Sequence, residues 1–190
     1  HKLIEECMLL ANVAAAEYSL EHDIPMLYRV HEAPEFSRIQ KVRDFVKLLG
    51  LPFPEQPTQA DYQAVIEATK DRLDAPSIHA VLLRSMMQAY YGANNAGHYG
   101  LAYEAYTHFT SPIRRYPDLL LHRAIKAYLD KKAYPLSGAA LDDAGEHFSQ
   151  TERRADEASR SVTTWLKCHY MQQHLGEEFV GIISAVTEFG

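Results

Sequence analysis

The stretch His108-Phe109-Thr110-Ser111-Pro112-Ile113-Arg114-Arg115-Tyr116-Pro117-Asp118, running on to His122-Arg123, sets two adjacent guanidiniums where a loop becomes a helix. Ser111-Pro112 reads as the helix start, because a serine hydroxyl can cap free N–H groups and proline is tolerated in a first turn. Ile113, Tyr116, Leu119, Leu120, Ala124, Ile125 and Ala127 then form an apolar face at helical spacing, which predicts a helix from Pro112 to Leu129 with Pro117 interrupting its first turns. Arg114 and Arg115 thus stand beside the positive end of a helix dipole and several free backbone donors, an arrangement that binds phosphate oxygens. Arginine's planar fork suits a phosphodiester better than lysine's point charge. The competing reading is a pair of ordinary ion pairs on a solvated helix face. Asp118, four residues after Arg114, is placed to pair with it and fix its rotamer.

Outward from this loop the chain reads as mostly helix with a few short strands, an α+β body. Helices are expected over residues 2 to 21, 34 to 49, 58 to 71, 76 to 87 and 137 to 174. Met26 to His31 reads as a strand. Gln88 to Tyr91 and Leu101 to Tyr103 read as two more, flanking the turn-prone Gly92-Ala93-Asn94-Asn95-Ala96-Gly97. The last residues, Gly176 to Gly190, change from helical periodicity to a β-branched run.

Composition excludes some classes. The chain has 190 residues, 47% of them apolar, enough for a packed core, and nothing in it is long and apolar enough to span a membrane. A net charge of −6 argues against a generally basic surface but not against a local basic channel. Cys7 and Cys168 lie on expected helices and read as buried free thiols. The histidines show no zinc spacing.

The run Gly97 to Leu119, containing Gly97-His98-Tyr99-Gly100-Leu101-Ala102 and the arginine loop, resembles the signature of the ribonuclease II/ribonuclease R (RNB) family of exoribonucleases. His1-Lys2-Leu3-Ile4-Glu5-Glu6-Cys7-Met8-Leu9-Leu10-Ala11-Asn12 is similar to a helix that the family carries about a hundred residues before that motif. Glu152-Arg153-Arg154-Ala155-Asp156-Glu157-Ala158-Ser159-Arg160 is more like ribonuclease R than ribonuclease II.

The resemblance implies a processive 3′-to-5′ hydrolytic exoribonuclease that degrades single-stranded RNA to nucleoside 5′-monophosphates with Mg²⁺, as a cytoplasmic monomer. It implies that residues 1–175 are the C-terminal portion of an RNB catalytic domain and that 176–190 open an S1-type OB-fold RNA-binding domain with its first strand. The family's metal ligands are aspartates in a motif upstream of the first helix seen here. No metal ligand is therefore expected in this chain, and the fragment is expected to be inactive without the other half of its catalytic domain.

Arg114 matches the family arginine that contacts the scissile phosphate, the catalytic assignment. Arg115, Ser111 and Tyr116 are candidate RNA or phosphate contacts, Arg115 with a structural ion pair as its alternative, and Asp118 is a supporting residue. Glu5 aligns with a family glutamate near the terminal nucleotide, where a carboxylate can accept from a ribose hydroxyl. Its alternative is an acid that favours the helix dipole. His98 and Tyr99 read as nucleotide contacts or core residues, and Tyr103, Tyr106 and Phe109 as stacking platforms or core. Arg153, Arg154 and Arg160 line an RNA channel or pair with neighbouring acids. A non-catalytic RNA-binding or adaptor module of RNB descent is the alternative function.

Overall fold

A computed structural model describes residues 1–134 and 136–181. In chain order the elements are α1 (Lys2–Glu21), β1 (Tyr28–Val30), α2 (Phe36–Leu48), α3 (Gln59–Thr69), α4 (Ala75–Ser85), β2 (Tyr90–Gly92), α5 (Tyr116–Leu129) and α6 (Ala139–Met171). Short 3₁₀ turns occupy Tyr99–Leu101 and Gln172–His174. The mostly helical α+β reading therefore holds. The chain divides into two units, one of residues 1–32 and 88–158, the other of residues 33–87 and 159–190.

In the first unit, β1 and β2 pair antiparallel with Arg29 opposite Tyr91. Successive side chains on a strand face opposite ways, so this small sheet serves two cores. Tyr28 and Val30 pack with Ala15 and Ala16 of α1, Leu121 of α5, Met26 and Ala105, with Phe109 and Ile125 alongside. On the other face Leu27 and Tyr91 pack with Leu141 of α6, backed by Leu120 and Phe148. The free edge of β1 is met by the loop instead of a strand: Arg29 N–H donates to the Tyr106 carbonyl at 2.8 Å and His31 N–H to the Gly97 carbonyl at 3.1 Å.

In the second unit α4 packs against both α2 and α3. Val42, Val46, Phe53, Tyr62, Val65, Ile78 and Leu82 are among its buried apolar residues. Thr58 opens α3 as a capping box with Asp61, whose carboxylate accepts from the Thr58 N–H at 2.7 Å.

Several expectations are corrected. Tyr90–Gly92 pairs with β1, while residues 101–103 form no strand: the Tyr99–Leu101 turn and a left-handed Ala102 (φ 57°) replace it. The helix expected from Pro112 begins at Tyr116, and Pro112-Ile113-Arg114 form a turn. Ser111 and Pro112 match a helix start by residue type, but Arg115 is the residue at the cap and Pro117 the proline in the first turn. Cys7 and Cys168 are exposed, not buried. Residues 177–181 form no strand, and the rest of the strand expected over 176–190 lies outside the described residues. No helix among the described residues is long and apolar enough to cross a membrane.

Candidate functional site

The loop between His108 and Tyr116 is held through most of its backbone N–H groups. Asn12 of α1 accepts through Oδ1 from the N–H of Phe109 at 2.9 Å and of Thr110 at 3.2 Å. His122 of α5 donates from Nε2 to the Phe109 carbonyl at 2.8 Å, its ring stacked on Phe109 with centroids 4.1 Å apart. Asp118 accepts from the Ser111 N–H at 2.7 Å, and the Ser111 carbonyl accepts from the N–H groups of Arg114 and Arg115. A loop whose polar groups are satisfied by fixed partners has few alternative conformations. At the outer end of the turn, Ile113 and Arg114 are exposed.

The two arginines have different surroundings. Arg115 donates from Nη2 to Asp118 Oδ1 at 2.8 Å, and Asp118 is fully buried. The sequence reading paired Asp118 with Arg114; the structure gives it to Arg115, because the helix starts one residue after Arg115 and position 118 falls in its first turn facing back to the cap. Asp118 Oδ2 and Arg115 Nε are both buried without a hydrogen-bond partner. The structural-pair alternative for Arg115 is thus present, although buried instead of solvated. Arg114 makes no side-chain hydrogen bond or ion pair among the described residues.

Arg114, Arg115 and Tyr116 line one side of a solvent-open cavity of about 470 Å³, with Tyr91 and, from α6, Phe148, Thr151, Glu152, Ala155 and Asp156. Arg29 reaches the same region: its guanidinium lies over the Tyr91 ring, 4.7 Å from the centroid, and pairs with Glu152 at 2.6 Å. The helix face toward the arginines is therefore acidic. Arg153 and Arg154 are exposed and do not line this cavity, and Glu152 is paired to Arg29; Arg160 is exposed on the part of α6 that belongs to the second unit.

Beneath the loop runs a set of buried and half-buried rings. His108 Nδ1 and the Tyr91 hydroxyl share a hydrogen bond at 2.9 Å. Burial, helped by the Arg115 and Arg29 charges, pushes the His108 imidazole down to about 3, so it is neutral near pH 7. Burial likewise raises the Tyr91 phenol to about 12. Burial and the neighbouring His31 lower His98 to about 4; these two rings stack with centroids 5.1 Å apart. Tyr106 is buried between His98 and His108, a core residue. His98 accepts from the Leu101 N–H at 3.2 Å and thereby shapes its own turn.

Glu5 does not line the cavity. It is exposed on α1, seven residues before Asn12, which places it on the same helix face about 10 Å further along the axis. Sequence reading missed Asn12, Arg29, Tyr91 and Glu152. Asn12 carried a signal: an amide among the small and apolar residues of a helix face has to find partners once buried. The Arg29–Tyr91–Glu152 group carried none, because it depends on strand register.

No three His, Cys, Asp or Glu side chains converge to hold a metal ion among the described residues. Asp118 is spent on Arg115 and Ser111, and Glu152 on Arg29. The described residues do not fit a Mg²⁺ site.

The RNB domain matches residues 1–131. The chain is 50% identical to Ribonuclease R of Vibrio parahaemolyticus, covering all of this chain and 24% of that protein, so it spans about a quarter of that relative's length. Among solved structures it superposes on Mycoplasma genitalium RNase R in complex with ribose-methylated single-stranded RNA with a TM-score of 0.89 and 29% identity, over 98% of this chain and 31% of that one. It also superposes on yeast Ssd1, described as a pseudonuclease, with a TM-score of 0.67 and 28% identity, over 76% of this chain and 19% of that one. With more than half its length matched, the arginine loop included, the chain belongs to the RNB family, of which ribonuclease R is a member.

Proposed function

We propose that this chain supplies the phosphate-gripping part of a processive, hydrolytic 3′-to-5′ exoribonuclease that releases nucleoside 5′-monophosphates from single-stranded, and structured, RNA. The observation that carries the reading is Arg114: a guanidinium without a described partner, exposed on a turn whose backbone is tied to α1 and α5. A guanidinium carried on a fixed turn and free of competing pairing is available to stabilise charge on phosphoryl oxygens. In this reading Arg115, Ser111 and Tyr116 border the phosphate, Arg115 acting with Asp118 at its back. Glu5 meets a ribose hydroxyl from the α1 face that also carries Asn12. Mg²⁺, whose ligands would lie among residues other than those described here, would supply the chemistry that lowers the pKa of the attacking water. A cytoplasmic monomer, with an OB-fold following from about residue 176, completes the proposal.

A non-catalytic RNA-binding module is the second reading, and the similarity to a pseudonuclease is what favours it, because the same fold is compatible with loss of hydrolysis. The experiment is Mg²⁺-dependent release of nucleoside monophosphates from uniformly labelled single-stranded RNA by the full gene product, with and without Arg114→Ala. The exonuclease reading expects a loss on the order of 10²- to 10³-fold in rate with little change in RNA affinity. No turnover in the unaltered protein selects the binding module.

A further inference from the structure

Asn12 lies on the packed face of α1 beside Ala15, Ala16 and Ser19, and is 4% exposed. Every hydrogen-bonding direction of its amide that the loop requires is in use. Oδ1 takes the Phe109 and Thr110 N–H groups at 2.9 and 3.2 Å, while Nδ2 donates to the Tyr106 hydroxyl at 2.9 Å. The two N–H donors fix which end of the amide is oxygen. Tyr106 is itself clamped between the His98 and His108 rings, so the amide is held from behind as well as in front.

His108, one residue before Phe109, is tied through its ring to Tyr91 of β2, and the other ties of Phe109–Ser111 run to α5: Ser111 to Asp118, and Phe109 to His122. Both belong to the helix that the loop itself leads into, and they would let loop and helix move together. Asn12 joins the loop to an element about a hundred residues earlier in the chain, and that element also carries Glu5.

From this geometry we infer that Asn12 is a positioning residue of the RNA site: by holding the Phe109–Thr110 backbone to α1, it sets where the Arg114 guanidinium stands. The inference rests on the exonuclease reading. A shift of about 1 Å in a positioned group costs on the order of 10²-fold in rate.

The test is a double-mutant cycle in the full gene product, read by single-turnover and steady-state degradation of single-stranded RNA. Asn12→Leu is expected to lower kcat about 10²-fold while KM stays near that of the unaltered protein. Added to Arg114→Ala it is expected to cost nothing further, since an absent guanidinium cannot be misplaced. Asn12→Asp keeps both acceptor positions, and the Tyr106 hydroxyl can donate to the carboxylate, so it is expected to restore most of the turnover.

Losses that multiply in the double variant, or Asn12→Asp as slow as Asn12→Leu, overturn the inference and leave Asn12 a packing residue. If thermal melting shows that Asn12→Leu does not fold, Tyr106→Phe takes its place in the cycle, removing only the hydroxyl that orients the amide; additivity with Arg114→Ala again overturns the inference. Full turnover in Asn12→Leu beside a crippled Arg114→Ala overturns this inference alone. Absence of turnover in the unaltered protein overturns the exonuclease reading and this inference with it.

Discussion

Gly145 of α6 lies so close to Tyr91 of β2 that a Cβ at position 145 would stand 2.7 Å from the Tyr91 carbonyl oxygen and 3.0 Å from Leu27 Cδ2. One turn on, Ser149 accepts from the Tyr91 N–H at 2.9 Å and donates to the Gly145 carbonyl at 2.8 Å. At Gly145 the helix thus meets the strand with no side chain of its own between them, and the Ser149 hydroxyl ties the two together. Alanine in an exposed helix stabilises by about 1 kcal/mol over glycine, but here the overpacking cost of about 1–3 kcal/mol opposes it. Gly145→Ala is expected to lower the thermal midpoint, and a raised midpoint would show that α6 can move off the sheet at no cost.

Asp118 carries the Ser111 backbone and the Arg115 guanidinium from a fully buried position. Removing it strands a positive charge that is itself only 18% exposed. Asp118→Ala is expected to cost about 3 kcal/mol in a urea titration, the penalty for breaking one side of a buried pair. A loss well under about 1 kcal/mol would mean that water replaces the carboxylate.

Two half-buried imidazoles give the fold an acid limit. Both His108, near 3, and His98, near 4, sit below the ordinary value of 6.5. As pH falls below about 6.5 the unfolded chain takes up protons that the folded rings refuse, so stability is flat above that pH and declines toward pH 4 and then 3. Urea midpoints measured between pH 7.5 and 5 should fall on the acid side, and the His108 ring resonances should not shift with pH over that range. A His108 titration centred near its ordinary value would refute the burial argument.

Glu152 places a carboxylate in the cavity that holds the two arginines. Glu152→Gln keeps the shape and removes the charge, so the full gene product is expected to bind single-stranded RNA tighter by ~1 kcal/mol, roughly fivefold. Anisotropy titrations with a labelled oligonucleotide decide it; weaker binding would show that Glu152 serves RNA through its hold on Arg29.

The helices were legible because each rests on local periodicity: α1, α2, α3 and α4 stand within a few residues of their expected bounds. The arginine loop was legible as a motif but not in its wiring. A four-residue shift in where α5 starts changed the partner of Asp118 from Arg114 to Arg115, since which residues face each other depends on where the helix begins. The strand pairing was misread for a different reason. Tyr90–Gly92 and the residues after Leu101 are near in sequence, and nothing local says that β1, some sixty residues earlier, claims the first of them. Asn12 belongs with that class, its meaning fixed only by a contact 97 residues away.

The pairing of Arg115 with a buried carboxylate changes the ionic arithmetic of the loop. Two adjacent arginines would suggest that a bound strand sheds two condensed cations. Arg115 arrives already neutralised, so the pair displaces about one, contributing a log–log slope near −0.7 for a single strand where about −1.4 would otherwise be expected. On the proposed reading, ionic strength then has a weak hold on this contact, and recognition of the backbone rests on the placement of one guanidinium instead of the accumulation of charge.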